Sequence, residues 1–238
     1  MRLQIFLSHS GKCSRRRALD LVKQGCVLVN NQMVCEPSFE VNLEKDKVYL
    51  EGIKIEVQDQ EYVMLNKPRG VVTTKEDKHA KNTVMDLLPK SLRHLNPVGR
   101  LDKDTEGLLL LTNNGEFVFR LTHPKFNINK TYFVKIKGQL NEKDKLSLTK
   151  GILLEDRPTS PCKIRNVKLK NGITEFEIII HEGRKRQIRL MLASLGYQVL
   201  YLKRTALGPI SLKNLPVGNW RYLTEEEISA LKSSMGLK

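Results

Sequence analysis

The sequence predicts an α+β protein in two parts. Three observations predict it: apolar residues recur at helical spacing only over short stretches, several runs alternate or are continuously apolar as strands do, and one polar connector divides the chain. The connector is Gln58-Asp59-Gln60-Glu61, which carries no apolar side chain. It separates a small unit over residues 1–58 from a larger unit over 59–238, whose strands suit a mixed, mainly antiparallel sheet flanked by short helices. A length of 238 residues fits one large or two small domains and can bury a substantial core.

In the first unit, Leu3, Phe6 and Leu7 share one face of an opening helix. Ser14 suits an N-cap for a helix from Arg15 to about Gln24, which Gly25 closes. Its apolar stripe is Ala18, Leu19 and Val22, leaving Arg15, Arg16 and Lys23 toward solvent. Val27–Val29 reads as a strand and Asn30-Asn31 as a turn. Val48–Leu50 and Ile53–Val57 are two more strands, on either side of Gly52.

In the second unit, Tyr62–Leu65 reads as a strand, Lys67-Pro68-Arg69-Gly70 as a tight turn and Val71–Thr74 as the returning strand. Thr83–Leu88 suits a helix. Leu108–Leu111 is continuously apolar, as in a buried strand, and Asn113, Asn114 and Gly115 end it. A helix over Glu116–Leu121 follows, then strands over Lys130–Lys137 and Ile173–His181. Gln187–Leu195 is helical with Ile188, Met191, Leu192 and Leu195 inward. The last helix, Glu225–Leu231, opens with the capping box Thr224–Glu227.

Composition narrows the partners. Forty-one basic residues against 26 acidic ones leave a formal charge of +15, which points to a polyanion such as nucleic acid. No apolar run reaches the length of a membrane span, and the amino terminus is too short for a signal peptide. No membrane partner is therefore expected. Cys13, Cys26, Cys35 and Cys162 form no CxxC pair and have no histidine at zinc-finger spacing, which suits reduced cytosolic thiols and no bound metal. His9, His79, His94, His123 and His181 are scattered and suit solvated or internally satisfied side chains. No glycine-rich phosphate loop of the P-loop or Rossmann kind is present.

Four segments carry the candidate chemistry. In Gly99-Arg100-Leu101-Asp102-Lys103-Asp104-Thr105-Glu106-Gly107 a carboxylate sits in a loop anchored by the apolar strand that follows it. Such an acid is either a turn cap or a group held rigidly for chemistry. In Asn129-Lys130-Thr131-Tyr132-Phe133-Val134, Lys130, Tyr132 and Val134 share one strand face. In Glu182-Gly183-Arg184-Lys185-Arg186-Gln187-Ile188-Arg189, Arg189 borders the core face of a helix. It needs an anionic partner there, for which Asp102 is the natural candidate. The fourth is Leu65-Asn66-Lys67-Pro68-Arg69-Gly70. Separately, Arg15, Arg16, Arg17 and Lys23 lie on a helix whose N-terminus attracts phosphate, so they are expected to grip a nucleic-acid backbone without reading its sequence.

Taken in this order, the motifs resemble those of bacterial ribosomal-RNA pseudouridine synthases, in the branch with an N-terminal S4-type RNA-binding domain. The resemblance covers roughly residues 1–58 for the S4-type module and the four motifs for the catalytic domain. It implies that Asp102 is the catalytic residue, that Tyr132 stacks on the target base and that Arg189 is the active-site basic residue. It places Lys67 beside the site as a contributor to RNA binding. Where many members have another arginine after Arg189, this chain has Leu190. Arg100 is then a filler of the space left by a flipped nucleotide, and Arg184 and Arg186 are RNA-backbone contacts. No cofactor is expected. The expected partner is ribosomal RNA or a pre-ribosomal particle, met in the cytoplasm by a monomer. His123-Pro124 and Leu153-Leu154-Glu155-Asp156 lean toward the large-subunit branch. The competing readings are a non-catalytic RNA-binding ribosome-assembly factor and a hydrolase that pairs Asp102 with Asp104.

Overall fold

The computed structural model describes residues 1–76 and 81–237. His79 lies outside the described residues, so nothing follows for it. The chain divides into two compact units, Met1–Glu61 and Tyr62–Lys238.

The first unit holds α1 (Leu3–His9), α2 (Arg15–Lys23), β1 (Val27–Val29), β2 (Gln32–Met33), β3 (Val48–Leu50) and β4 (Ile53–Ile55). The strands form an antiparallel sheet in the order β2-β1-β3-β4. The Ser14 hydroxyl accepts the Arg17 amide at 3.2 Å, which caps α2. Leu21, rather than Leu19, is the buried partner of Ala18 and Val22. Positions 18, 21 and 22 follow i, i+3, i+4 spacing, whereas Leu19 falls about 100° away from Ala18 and only borders the core.

The second unit contains β5 (Tyr62–Lys67), β6 (Asn96–Pro97), β7 (Glu106–Thr112), α3 (Gly115–Thr122), β8 (Lys130–Lys137) and α4 (Glu142–Lys150). After these come β9 (Leu153–Leu154), β10 (Arg157–Pro158), β11 (Lys163–Lys170), β12 (Ile173–Ile180), α5 (Gln187–Ser194), β13 (Val199–Leu207), β14 (Ile210–Ser211), β15 (Trp220–Tyr222) and α6 (Glu225–Ser234). One sheet runs in the order β11-β12-β8-β13-β7-β5-β15, with β14 on β13 and β6 on β7. The β13–β7 pair is parallel and the others are antiparallel, so the sheet is mixed and mainly antiparallel.

Two cores explain the strand patterns. Val63, Leu65, Leu109 and Leu111 enter one core with Tyr132, Val134, Phe176 and Met191. Their neighbours Tyr62, Met64, Leu108 and Leu110 enter the other, with Phe117, Leu121 and Leu231. β5 and β7 are therefore covered on both faces, which is why Leu108–Leu111 is apolar without a break. β8 and β12 are buried on one face only and alternate.

Two expected elements differ. Val71–Thr74 is not a strand, because β7 and β15 already occupy both edges of β5; among the described residues one bridge, Val72 to Thr83, forms there. Thr83–Leu88 holds a 3-10 turn, Val84–Leu87, closed by a Thr83–Asp86 capping box.

Candidate active site

The site is built on one row of the sheet. Lys67 of β5 lies opposite Gly107 of β7, Gly107 opposite Arg204 of β13, and Arg204 opposite Tyr132 of β8. Gly107 and Tyr132 are thus two strands apart, on the order of 10 Å. The missing side chain at Gly107 lets the sheet close. A Cβ there would lie 2.3 Å from the Arg204 carbonyl oxygen, and its φ of +114° is one that only glycine adopts without strain.

The loop that carries Asp102 runs into this row and is tied down from several sides. The Thr105 amide donates to the Asp102 carbonyl at 3.0 Å, which closes the turn. Thr73 Oγ1 donates to the Leu101 carbonyl at 2.8 Å, and the Gly70 amide to the Lys103 carbonyl at 2.8 Å. Arg189 Nη2 donates to the Asp104 carbonyl at 3.1 Å. From below, Lys67 Nζ donates to the carbonyls of Pro68 and Thr105, each at 2.9 Å, and to that of Lys103 at 3.4 Å. Burial lowers the Lys67 pKa from 10.5 to about 8, against the pull of Asp102, Asp104 and Glu106.

What this scaffold presents is an acid. Asp102 is half-buried, and its carboxylate makes no hydrogen bond or ion pair with any described residue. It lines a cleft of about 410 Å³ together with Arg100, Leu101, Thr105, Tyr132, Ile180, Arg184, Lys185, Arg186, Ile188 and Leu202. The floor is apolar and aromatic and the rim is cationic. Tyr132 is only 8% exposed, so its ring is held by the core rather than free to turn. Thr105 is buried in the same wall, and its Oγ1 has no hydrogen-bond partner among the described residues.

The rim is ordered by its own contacts. Arg186 precedes α5 with φ 54°, in the left-handed region that an arginine adopts only under constraint. Its guanidinium pairs with Asp104 at 3.2 Å, and that hydrogen bond holds the Asp104 carboxyl below the usual carboxylate range. Arg184 donates to the carbonyls of Arg157 and Pro158 and lies 3.5 Å from Glu182. Arg100 and Lys185 are exposed and make no such bonds with described residues.

The sequence expectations divide accordingly. Asp102, Tyr132, Arg100, Arg184 and Arg186 come together around one cleft. Arg189 does not pair with Asp102. It reaches the backbone of Asp104 instead and leaves its Nε buried without a partner among the described residues, while the Asp104 carboxylate is taken by Arg186. That same pair removes Asp104 as a second acid beside Asp102. Lys67 cannot contact RNA, because it is fully buried with its ammonium spent on the loop carbonyls. Arg15, Arg16, Arg17 and Lys23 are exposed on α2 in the first unit.

Sequence reasoning missed Thr73, Thr105 and Arg204, and gave Lys130 no role beyond its strand face. Arg204 is buried and donates through Nε to the Leu108 carbonyl at 2.7 Å. Lys130 Nζ donates to the His181 carbonyl at 2.6 Å, and burial beside Arg204 lowers its pKa to about 8. A cation in a run otherwise reading as a buried strand face was the available signal for both.

Comparison with known proteins settles the family. Residues 61–194 match the family of RNA pseudouridylate synthases, and residues 1–48 match the S4 domain. The chain belongs to the RNA pseudouridylate synthase family. It is 39% identical over 234 residues to ribosomal large subunit pseudouridine synthase B of Bacillus subtilis (strain 168), covering 98% of this chain and 96% of that one. It is 38% identical over 239 residues to an uncharacterised RNA pseudouridine synthase of Aquifex aeolicus (strain VF5), covering 100% and 96%. A crystal structure of a pseudouridylate synthase superposes with a TM-score of 0.69 at 33% identity, over 97% of this chain and 99% of that one. The enzyme is accordingly an isomerase, built as an S4 domain joined to a synthase fold. Among the described residues, no helix is long and apolar enough to cross a membrane. No group of three metal-binding side chains comes together among them either.

Proposed function

We propose that this synthase isomerises a uridine of large-subunit ribosomal RNA to pseudouridine, with Asp102 as the catalytic residue. One observation carries the assignment. An acid without hydrogen-bond partners among the described residues and a buried tyrosine line the same cation-rimmed cleft, whose volume of about 410 Å³ suits a single small ligand such as a nucleoside.

A uridine inside folded RNA is stacked and out of reach, so the nucleotide flips out at a cost of a few kcal/mol. Arg184, Lys185 and Arg186 attract the phosphates beside it, and stacking on Tyr132 offsets part of the cost. Arg100 occupies the space the base leaves. The N1–C1′ bond breaks, the uracil turns, and a C5–C1′ bond forms; the C5 proton then passes to water and N1 takes up a proton from water. No redox step is involved, and atoms are conserved. Asp102 serves either by attacking C1′, in a bond that breaks again as C5 takes its place, or by removing a ribose proton that is returned once the C5–C1′ bond forms, and both roles need the carboxylate unencumbered. Arg189 acts through the loop backbone as a positioning residue.

Residues 1–58 serve as the RNA-binding domain and 59–238 as the catalytic domain. Arg15, Arg16, Arg17 and Lys23 hold phosphates, so that the S4 unit selects which RNA region reaches the cleft. The protein works as a cytoplasmic monomer on ribosomal RNA or its precursor particle. The large-subunit assignment rests on the 39% identity to ribosomal large subunit pseudouridine synthase B of Bacillus subtilis. Carbodiimide labelling and reverse transcription of ribosomal RNA, from cells with and without the gene, tests it. The expected result is one modification stop lost from large-subunit RNA. A stop lost from small-subunit RNA, or none lost, contradicts the proposal.

A further inference from the structure

Outside the cleft, one surface cluster holds an aromatic ring that packing does not explain. α3 turns Phe117 and Leu121 into the core, yet its Phe119 is left 46% exposed. Phe119 does not stand alone, as a stray surface apolar residue would. Its ring centroid lies 5.0 Å from that of His123 and 5.8 Å from that of Phe126, and the His123 and Phe126 rings are 6.4 Å apart. Lys125 Nζ sits 5.1 Å from the Phe119 ring and 4.8 Å from the Phe126 ring, and the Arg120 guanidinium 5.3 Å from the Phe126 ring.

The cluster is preorganised. The Lys125 amide donates to His123 Nδ1 at 3.2 Å, the Phe126 amide to the His123 carbonyl at 3.2 Å, and Arg120 to the Met235 carbonyl at 3.0 Å. Its charge is also one-sided. Glu116, the acid on α3, is already paired with Arg120 at 2.9 Å. Lys125 has no carboxylate partner among the described residues.

The cluster also adjoins the cleft. Thr122 lies three residues after Phe119, on the same side of α3. A Cβ built on Gly99 would come 3.4 Å from Thr122 Cγ2, and Gly99 and Arg100 both line the cleft. Rings with a spare cation, set beside a polyanion-binding groove, are the combination that recognises an unpaired nucleotide: a base stacks on a ring and its phosphate takes the cation.

We infer that Phe119, His123, Phe126 and Lys125 form a stacking platform for an unpaired nucleotide of the substrate RNA flanking the flipped uridine. This rests on the proposed function, since it assumes RNA in the cleft. The platform lengthens the footprint beyond the catalytic pocket and favours targets whose flanking nucleotide is itself unpaired.

The test uses the full chain and its Phe119→Leu, Phe119→Tyr and Lys125→Gln variants, all changed at exposed positions. The probes are an unmodified large-subunit ribosomal-RNA transcript and short single-stranded RNAs with 2-aminopurine at successive positions. The wild type and Phe119→Tyr should quench 2-aminopurine, because a ring is retained. Phe119→Leu should lose the quench and bind the transcript about tenfold more weakly, the loss expected for one stacked base. Lys125→Gln should keep the quench and lower the salt slope by about one. At saturating transcript, release of tritium from uridine C5 by Phe119→Leu should stay within about twofold of wild type, so the effect lies in KM and not kcat. Unchanged affinity in Phe119→Leu, or no quench in the wild type, overturns the platform. Weakened binding by Phe119→Leu without tritium release by the wild type leaves the platform standing and refutes the proposed reaction instead.

Discussion

Replacing Lys67 by methionine isolates the loop's internal support from its chemistry. The substitution keeps the length and apolar stem of the side chain and removes the ammonium that donates to Pro68 and Thr105 at 2.9 Å and to Lys103 at 3.4 Å. The two short bonds come from a charged donor and are each worth about 1.5 to 3 kcal/mol net. Against them stands the burial penalty that lowers the pKa to about 8. The balance is a loss of up to about 3 kcal/mol in stability, with the Asp102 loop freed from its lower tie.

The pH dependence gives a second, independent readout. Folding depresses this lysine's pKa from 10.5 to about 8, so between those values the unfolded chain binds more protons than the native one. Wild-type stability therefore rises with pH through that window relative to Lys67→Met, and the excess is lost as pH falls through about 8. From about pH 7.5 to pH 9.5 the stability gap should widen by about 1 to 2 kcal/mol, after allowance for partial screening. Urea denaturation at the two pH values measures it, and kcat should fall at least about tenfold because Asp102 is misplaced. A variant with wild-type stability, a flat pH difference and unchanged kcat would refute the loop-tether reasoning.

Gly107→Ala forces a Cβ to 2.3 Å from the Arg204 carbonyl at a φ of +114°; chemical denaturation should show a loss of about 3 kcal/mol or more. Arg189→Met removes the bond to the Asp104 carbonyl, so kcat should fall while filter-binding affinity for ribosomal RNA changes less than about threefold. The combined Arg15→Ala, Arg16→Ala and Arg17→Ala variant should bind RNA more weakly and lower the slope of log affinity against log salt by about 2 to 3, with unchanged melting temperature. An unchanged slope would remove those arginines from the interface.

How much of this was legible depended on the range of the interactions involved. Caps and turns are local, so Ser14, Thr224 and Asn113–Gly115 marked their elements correctly. The Leu108–Leu111 run announced a strand covered on both faces. Partner choice is not local. Val71–Thr74 reads as the return strand of a hairpin, but β15, from more than 150 residues downstream, takes the free edge of β5. Charged, alternating Lys163–Lys170 carries little apolar signal because it lies at the sheet edge. In the site, residue types pointed to an acid, an aromatic ring and a semi-buried arginine. Which anion that arginine meets depends on loop geometry. Arg186 reaches the Asp104 carboxylate, and Arg189 is left with the backbone. Lys67 shows the same limit from the other side. A lysine beside a turn reads as an exposed cation until the three carbonyls that surround it are brought together by the fold.

The measurement that bears most directly on the account is tritium release from uridine C5 in ribosomal-RNA transcripts, comparing the wild type with Asp102→Asn. Asparagine keeps the shape of the side chain and deletes its charge, and nothing among the described residues bonds to that carboxylate. The wild type should release tritium, and Asp102→Asn should release none while retaining RNA affinity within about threefold. Release by Asp102→Asn at the wild-type rate would contradict the assignment of the chemistry to this residue.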